Sequence, residues 1–227
     1  YFPDSPATVS RTILFVYGGA WREGSRSEYE FVGQALAEAG HTVIIPDYRL
    51  YPSVVFPDFV EDVVNAMVGA KAFLEKRSGN DLVEVVLMGH SSGAHTVAMI
   101  ASDTKWLEGS GVKPGALVAI SGPYDLPLEN PEVAPVFDGV ENADSVRPVA
   151  MVTAVHPPTL LIHGDEDERV LPFHTRNYAA ALAEAGVSFE VRWLEGVGHV
   201  SAIAGLAAPL DTADRNQKRI TMFLDGL

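Results

Sequence analysis

The sequence predicts an α/β fold built on a doubly wound, mostly parallel sheet of about six strands. Three observations lead there. Short strand-like runs alternate with helix-like runs along the whole chain, the order that lays helices on both faces of a parallel sheet. The 227 residues contain no internal repeat and no low-complexity linker, and a chain of that length suits one large domain, 1–227, with a substantial core. One segment, 89–93, has the composition of a tight strand-to-helix turn at the edge of such a sheet.

The elements follow in order. Thr12–Tyr17 is a buried strand by composition. A helix begins near Ser27, where Ser27 and Glu30 have capping-box spacing, and Gly40 stands where a helix C-terminus should be. His41–Ile45 is the next strand. Pro57 opens a helix whose Val60, Val63, Val64, Met67 and Leu74 recur at three- and four-residue steps and form one apolar face. Leu82–Met88 is a strand that runs into Gly89, and a helix follows from Ala94 to Ala101. Leu117–Ile120 and Leu160–His163 are further strands. A helix over Phe173–Ala185 stops at Gly186, Phe189–Leu194 is the last strand, and Thr212–Leu224 closes the chain as a helix. Residues 121–158 break the alternation. They carry seven of the fifteen prolines, so neither a regular strand nor a regular helix fits, and a small lid over the strand ends is expected.

Gly89-His90-Ser91-Ser92-Gly93 is the segment with chemical content. A Gly-x-Ser-x-Gly between a strand and a helix lifts its serine clear of the sheet at a helix N-terminus, where developing negative charge is favoured. Ligands bind at the carboxyl ends of the strands in such sheets, which is where Ser91 falls. A serine hydroxyl needs a base, and the base needs an orienting acid. In this architecture the acid and the histidine lie on loops after later strands, in that chain order. After Leu160–His163 comes Gly164-Asp165-Glu166-Asp167-Glu168, and after the last strand comes Gly196-Val197-Gly198-His199. His199 is therefore the expected base. Asp167 is the expected acid, with Asp165 as the alternative.

His95 follows Ser91 by four residues, yet a histidine there points along the helix axis and is expected to be structural. The acidic run 165–168 lacks the glycine-spaced oxygens of a hard-cation loop, so no metal is implied. Gly18-Gly19-Ala20-Trp21 after the first strand supplies backbone donors for an oxyanion, with Gly19, Ala20 and Ser92 as the donors. A phosphate loop is the rival there, but the lysine that should precede Ser25 is absent. Trp21 and Tyr124 are candidate apolar walls of a substrate cleft.

The charge of −14 argues against nucleic acid or an anionic membrane as partner. The absence of cysteine excludes disulfides and thiol chemistry. No run approaches the ~20 apolar residues of a membrane span. Neither localisation nor oligomeric state is legible, and the sequence begins Tyr1-Phe2-Pro3 without a methionine, so a targeting segment is not readable either.

Taken together, the motifs resemble the α/β-hydrolase superfamily, specifically its hormone-sensitive-lipase-like esterases and kynurenine formamidases. The residues that carry the likeness are Tyr17-Gly18-Gly19-Ala20-Trp21, Pro46-Asp47-Tyr48-Arg49-Leu50 with Pro52 and Phe56-Pro57, Gly89–Gly93, Ser121-Gly122-Pro123-Tyr124-Asp125-Leu126, His163-Gly164-x-x-Asp167 and Gly198-His199. They stand in the family order across residues 12 to 200. Two departures stand out. Tyr17 replaces the histidine that often opens the oxyanion loop, and eleven residues precede Thr12 where the family usually carries further strands. The large helical cap of many lipases is missing. The resemblance implies a serine hydrolase without metal or organic cofactor, acting on a small-molecule ester through an acyl-enzyme. Cleavage of N-formylkynurenine is the second expectation, and a non-catalytic ligand-binding relative is the third.

Overall fold

A computed structural model describes residues 1–5, 9–79, 82–207 and 216–227. Six strands form one sheet: β1 (Thr12–Val16), β2 (Thr42–Ile44), β3 (Glu84–His90), β4 (Lys113–Ile120), β5 (Thr159–Gly164) and β6 (Phe189–Leu194). Their order is β2-β1-β3-β4-β5-β6, and every pairing is parallel. The doubly wound parallel sheet expected from the alternation is therefore present. The middle strands read as unbroken apolar runs because helices cover both faces. Ile13–Val16, Val85–Met88, Ala116–Ile120 and Leu160–Ile162 are all buried.

β4 begins four residues earlier than its apolar stretch suggests. Pro114 and Gly115 read locally as a turn, yet they continue the strand through a register shift opposite Val85 and Val86.

The helices that matter for the site are α1 (Glu30–Glu38), α2 (Asp58–Ser78), α3 (Ser92–Ser102), the single turn α4 (Pro148–Met151), α5 (Phe173–Glu184), α6 (His199–Ala204) and α7 (Asn216–Asp225). The capping box expected at Ser27 and Glu30 does not form. Residues Arg26–Tyr29 make a 3₁₀ turn instead, and α1 starts only at Glu30. The Asp47 carboxylate accepts the Arg26 N–H at 2.8 Å and ties this turn to the loop after β2. Gly40 does end the first helical segment, at φ 96°. On α2, acidic Asp58 and Glu61 lie in the first turn and basic Lys76 and Arg77 in the last, matching the helix dipole. The closing helix is seen over α7; the expected start at Thr212 lies outside the described residues. Among the described residues no helix is long and apolar enough to cross a membrane.

Residues 121–158 form 3₁₀ turns at Ala134–Phe137 and Ala143–Val146 and the single turn α4, joined by irregular chain. Asp125 anchors this excursion to the body of the protein. Its carboxylate accepts from the Arg147 Nε at 2.8 Å and from the Asn177 amide on α5 at 2.7 Å.

Candidate active site

Ser91 sits between β3 and α3 with φ 56° and ψ −125°, a backbone state costly for any residue with a side chain. Its neighbours make that state possible. A Cβ on Gly93 would lie 2.1 Å from the Val16 carbonyl oxygen, so only glycine lets α3 start this close to the end of β1. The turn aims the Ser91 hydroxyl at His199, whose Nε2 is 2.8 Å away. His199 opens α6, and its Nδ1 lies 2.7 Å from Asp167 Oδ2. Nδ1 therefore donates to the carboxylate, which leaves Nε2 free to accept the serine proton.

Asp167 is buried, and burial alone would raise its pKa. Hydrogen bonding outweighs that effect and holds the carboxyl well below the usual range. The contributing groups are the His163 and His199 side chains and the Val170 N–H. Its second oxygen, Oδ1, accepts the Arg169 and Val170 N–H groups at 3.0 and 2.8 Å. Asp165, the alternative acid, is turned away. Its carboxylate accepts the Gly196 N–H at 2.8 Å and has no contact with His199. The loops that carry Asp167 and His199 meet at Gly164, where an added Cβ would stand 2.0 Å from the Val197 carbonyl oxygen.

Opposite the serine, the loop after β1 folds back on itself. The Arg22 and Glu23 N–H groups donate to the Gly19 carbonyl at 2.9 and 3.1 Å. Gly19, Ala20 and Trp21 all adopt positive φ, at 136°, 52° and 58°. The Gly19, Ala20 and Ser92 N–H groups have no backbone acceptor among the described residues. Tyr17, which stands where the resemblance leads one to expect histidine, stacks on Tyr48 at 4.6 Å between ring centres. The Tyr48 hydroxyl donates to the Tyr17 carbonyl at 2.9 Å, so an aromatic stack braces the loop.

Three histidines near Ser91 do other work. His90 packs its ring 4.9 Å from that of His199, and its Nε2 donates to the His199 carbonyl at 3.2 Å. Burial, and then the nearness of His199, push its pKa down to about 3, so it adds no positive charge beside the base. His95 is fully buried and donates from Nε2 to the Val146 carbonyl at 2.8 Å, the structural place expected of it. His163 donates to the Val170 carbonyl at 2.8 Å and steadies the acid loop.

A cavity of about 440 Å³ opens over the serine. Trp21 is among the residues around it, although the ring is mostly buried against Phe59, His95 and Phe137. Tyr124 does not line the cavity, contrary to expectation. It is fully buried, stacks on Tyr178 at 4.6 Å, and accepts the Gly122 N–H at 3.2 Å. A tyrosine four residues past a strand end can turn inward as readily as outward, and here the stack holds it in. The 121–158 excursion reaches the cavity through Pro123, Leu126, Pro127, Asn130 and Val133 instead. Glu23, Glu28, Arg169 and His174 also line it, and no motif marked them. Their only signal in the sequence is adjacency: Glu23 follows the oxyanion loop, and Arg169 and His174 follow Asp167.

Comparison with known proteins places this geometry in context. A family model described as BD-FAE matches residues 1–182. The chain is 31% identical over 220 residues to the esterase LipC of Mycobacterium tuberculosis, covering 86% of this chain and 54% of that protein. It is 30% identical over 200 residues to the kynurenine formamidase of Meyerozyma guilliermondii, covering 79% of this chain and 74% of that one. The chain thus spans about half the length of the first curated relatives it matches. A truncated carbohydrate esterase from gut microbiota superimposes with a TM-score of 0.81 at 22% identity, over 100% of this chain and 88% of the other. At that identity the likeness is one of fold.

Proposed function

The chain belongs to the BD-FAE family of α/β-hydrolases, and from that premise we propose that it is a serine hydrolase of small carboxylic esters. The observation that supports this best is the continuous chain Ser91–His199–Asp167, with contacts of 2.8 and 2.7 Å. Ser91 Oγ attacks the ester carbonyl carbon while His199 Nε2 takes its proton. The carbonyl oxygen becomes an oxyanion and receives hydrogen bonds from the N–H groups of Gly19, Ala20 and Ser92. Collapse breaks the C–O bond, and the imidazolium returns its proton to the departing alcohol. Water then attacks the acyl-enzyme by the same route in reverse and releases the acid. Asp167 keeps His199 in the needed tautomer and stabilises the imidazolium. Residues 121–158 serve as a short lid, and Trp21 as part of the substrate wall.

Two measurements test this reading. Wild type should hydrolyse 4-nitrophenyl butyrate and react with a fluorophosphonate probe. Ser91→Ala should fold normally, lose turnover by several orders of magnitude, and fail to label. Comparable turnover in that variant would refute the assignment, and absence of labelling in wild type would favour a binding protein.

Similarity to a kynurenine formamidase that the chain covers over 74% of its length supports a second reading. The same machinery can cleave a formyl amide. A parallel assay on N-formylkynurenine separates the two by relative kcat/KM.

A further inference from the structure

His174 stands on the second residue of α5 and lines the cavity over Ser91. Its Nδ1 is occupied, because it accepts the backbone N–H of Asp125 at 3.2 Å. A nitrogen that accepts carries no proton, so in the neutral ring the proton sits on Nε2. Burial pushes the pKa of this histidine down to about 4, so the ring is neutral at ordinary pH. Nε2 has no protein partner among the described residues, yet it is not sealed in as His41 Nε2 and His95 Nδ1 are. The ring is therefore locked by the main chain on one side, with an unused N–H on the other.

We propose that His174 contacts the substrate, offering Nε2–H as a fixed hydrogen-bond donor to an uncharged acceptor oxygen beyond the scissile group. The inference rests on the hydrolase reading above and refines it. An ether, hydroxyl or carbonyl oxygen fits better than a carboxylate, because Glu23 and Glu28 line the same cavity and only Arg169 offsets them. A substrate methylene placed against this donor would leave the N–H unpaired, whereas an oxygen there would accept it.

Asn and Gln separate the two ends of the ring. In His174→Asn the short amide oxygen can still accept the Asp125 N–H while the cavity donor is lost. In His174→Gln the longer amide places a donor near the Nε2 position. His174→Phe keeps the ring and removes both nitrogens. Two substrate pairs differ by an oxygen in place of a methylene. 4-Nitrophenyl methoxyacetate against butyrate places it on the acyl side, and 2-methoxyethyl butyrate against butyl butyrate on the alcohol side. We expect the oxygen-to-methylene ratio of kcat/KM to fall about 3- to 10-fold in the Asn or Phe variant for at least one pair. The Gln variant should recover part of it. Either folded variant suffices. A ratio unchanged in both pairs, or an equal loss on all four substrates, overturns the proposal. Loss of 4-nitrophenyl butyrate hydrolysis in Ser91→Ala tests the underlying reading separately, so the two failures are distinguishable.

Discussion

Replacing Asp167 by asparagine probes the site with one atom. The Arg169 and Val170 N–H groups both point at Oδ1, so the amide of an asparagine must present its oxygen to them and its NH₂ to His199. That NH₂ donates into Nδ1, 2.7 Å away in the wild type, and the proton of the neutral imidazole is driven to Nε2. A protonated Nε2 cannot take the proton of Ser91. The backbone bonds survive, so the fold should survive with them. In triads of this type the wrong tautomer costs about 10⁴ in kcat, equivalent to about 5.5 kcal/mol of transition-state stabilisation. Asp165→Asn is the control, because among the described residues its carboxylate accepts only the Gly196 N–H, and it should change kcat less than about 3-fold. Steady-state hydrolysis of 4-nitrophenyl butyrate reads both, with circular dichroism to confirm folding. If Asp165→Asn were the crippled variant, or if Asp167→Asn kept more than a tenth of the activity, the tautomer argument would be refuted.

Three further outcomes follow from the same geometry. Gly164→Ala would drive a Cβ into the Val197 carbonyl oxygen, so it should destabilise by about 1–3 kcal/mol and cut kcat about 100-fold through misplacement of His199; a wild-type melt and wild-type kcat would contradict this. The cavity of about 440 Å³ should favour short acyl chains, about C2 to C6, because each buried methylene contributes only about 0.8 kcal/mol and longer chains project into water; a maximum in kcat/KM at C10 or beyond would show a deep tunnel instead. Stability should fall on acidification, because burial holds His90, His95 and His156 at about 3, 4 and 4, below the ordinary 6.5. The unfolded chain then binds protons first, so stability is complete above about pH 6.5 and declines below it. The loss is about 2 kcal/mol per histidine at pH 5, and a melting temperature unchanged between pH 7.5 and pH 5 would contradict it.

The parts of the fold legible in the sequence are those fixed by local chemistry. The strand-turn-helix at Ser91 needs glycine on both sides, so its signature is written in five consecutive residues. The acid and base loops need only the rule that they follow later strands, and the carboxylate that meets His199 is Asp167, the residue expected ahead of Asp165. What failed depended on neighbours distant in sequence. The capping box at Ser27 has the right spacing, but Arg26–Tyr29 forms a 3₁₀ turn tied to Asp47 through the Arg26 N–H, and α1 starts only at Glu30. Tyr124 is an apolar candidate for the substrate wall by residue type alone, but it stacks on Tyr178, 54 residues on, which no local pattern reveals. His174 follows the same logic. Its tautomer is fixed by the amide of Asp125, 49 residues away in the chain, and Asp125 is itself pinned by Arg147 and Asn177. The reactive groups are thus specified by short motifs, whereas the groups that would select among substrates depend on how the 121–158 excursion is tied to α5. Changes in that tie should alter selectivity while leaving the Ser91–His199–Asp167 contacts in place.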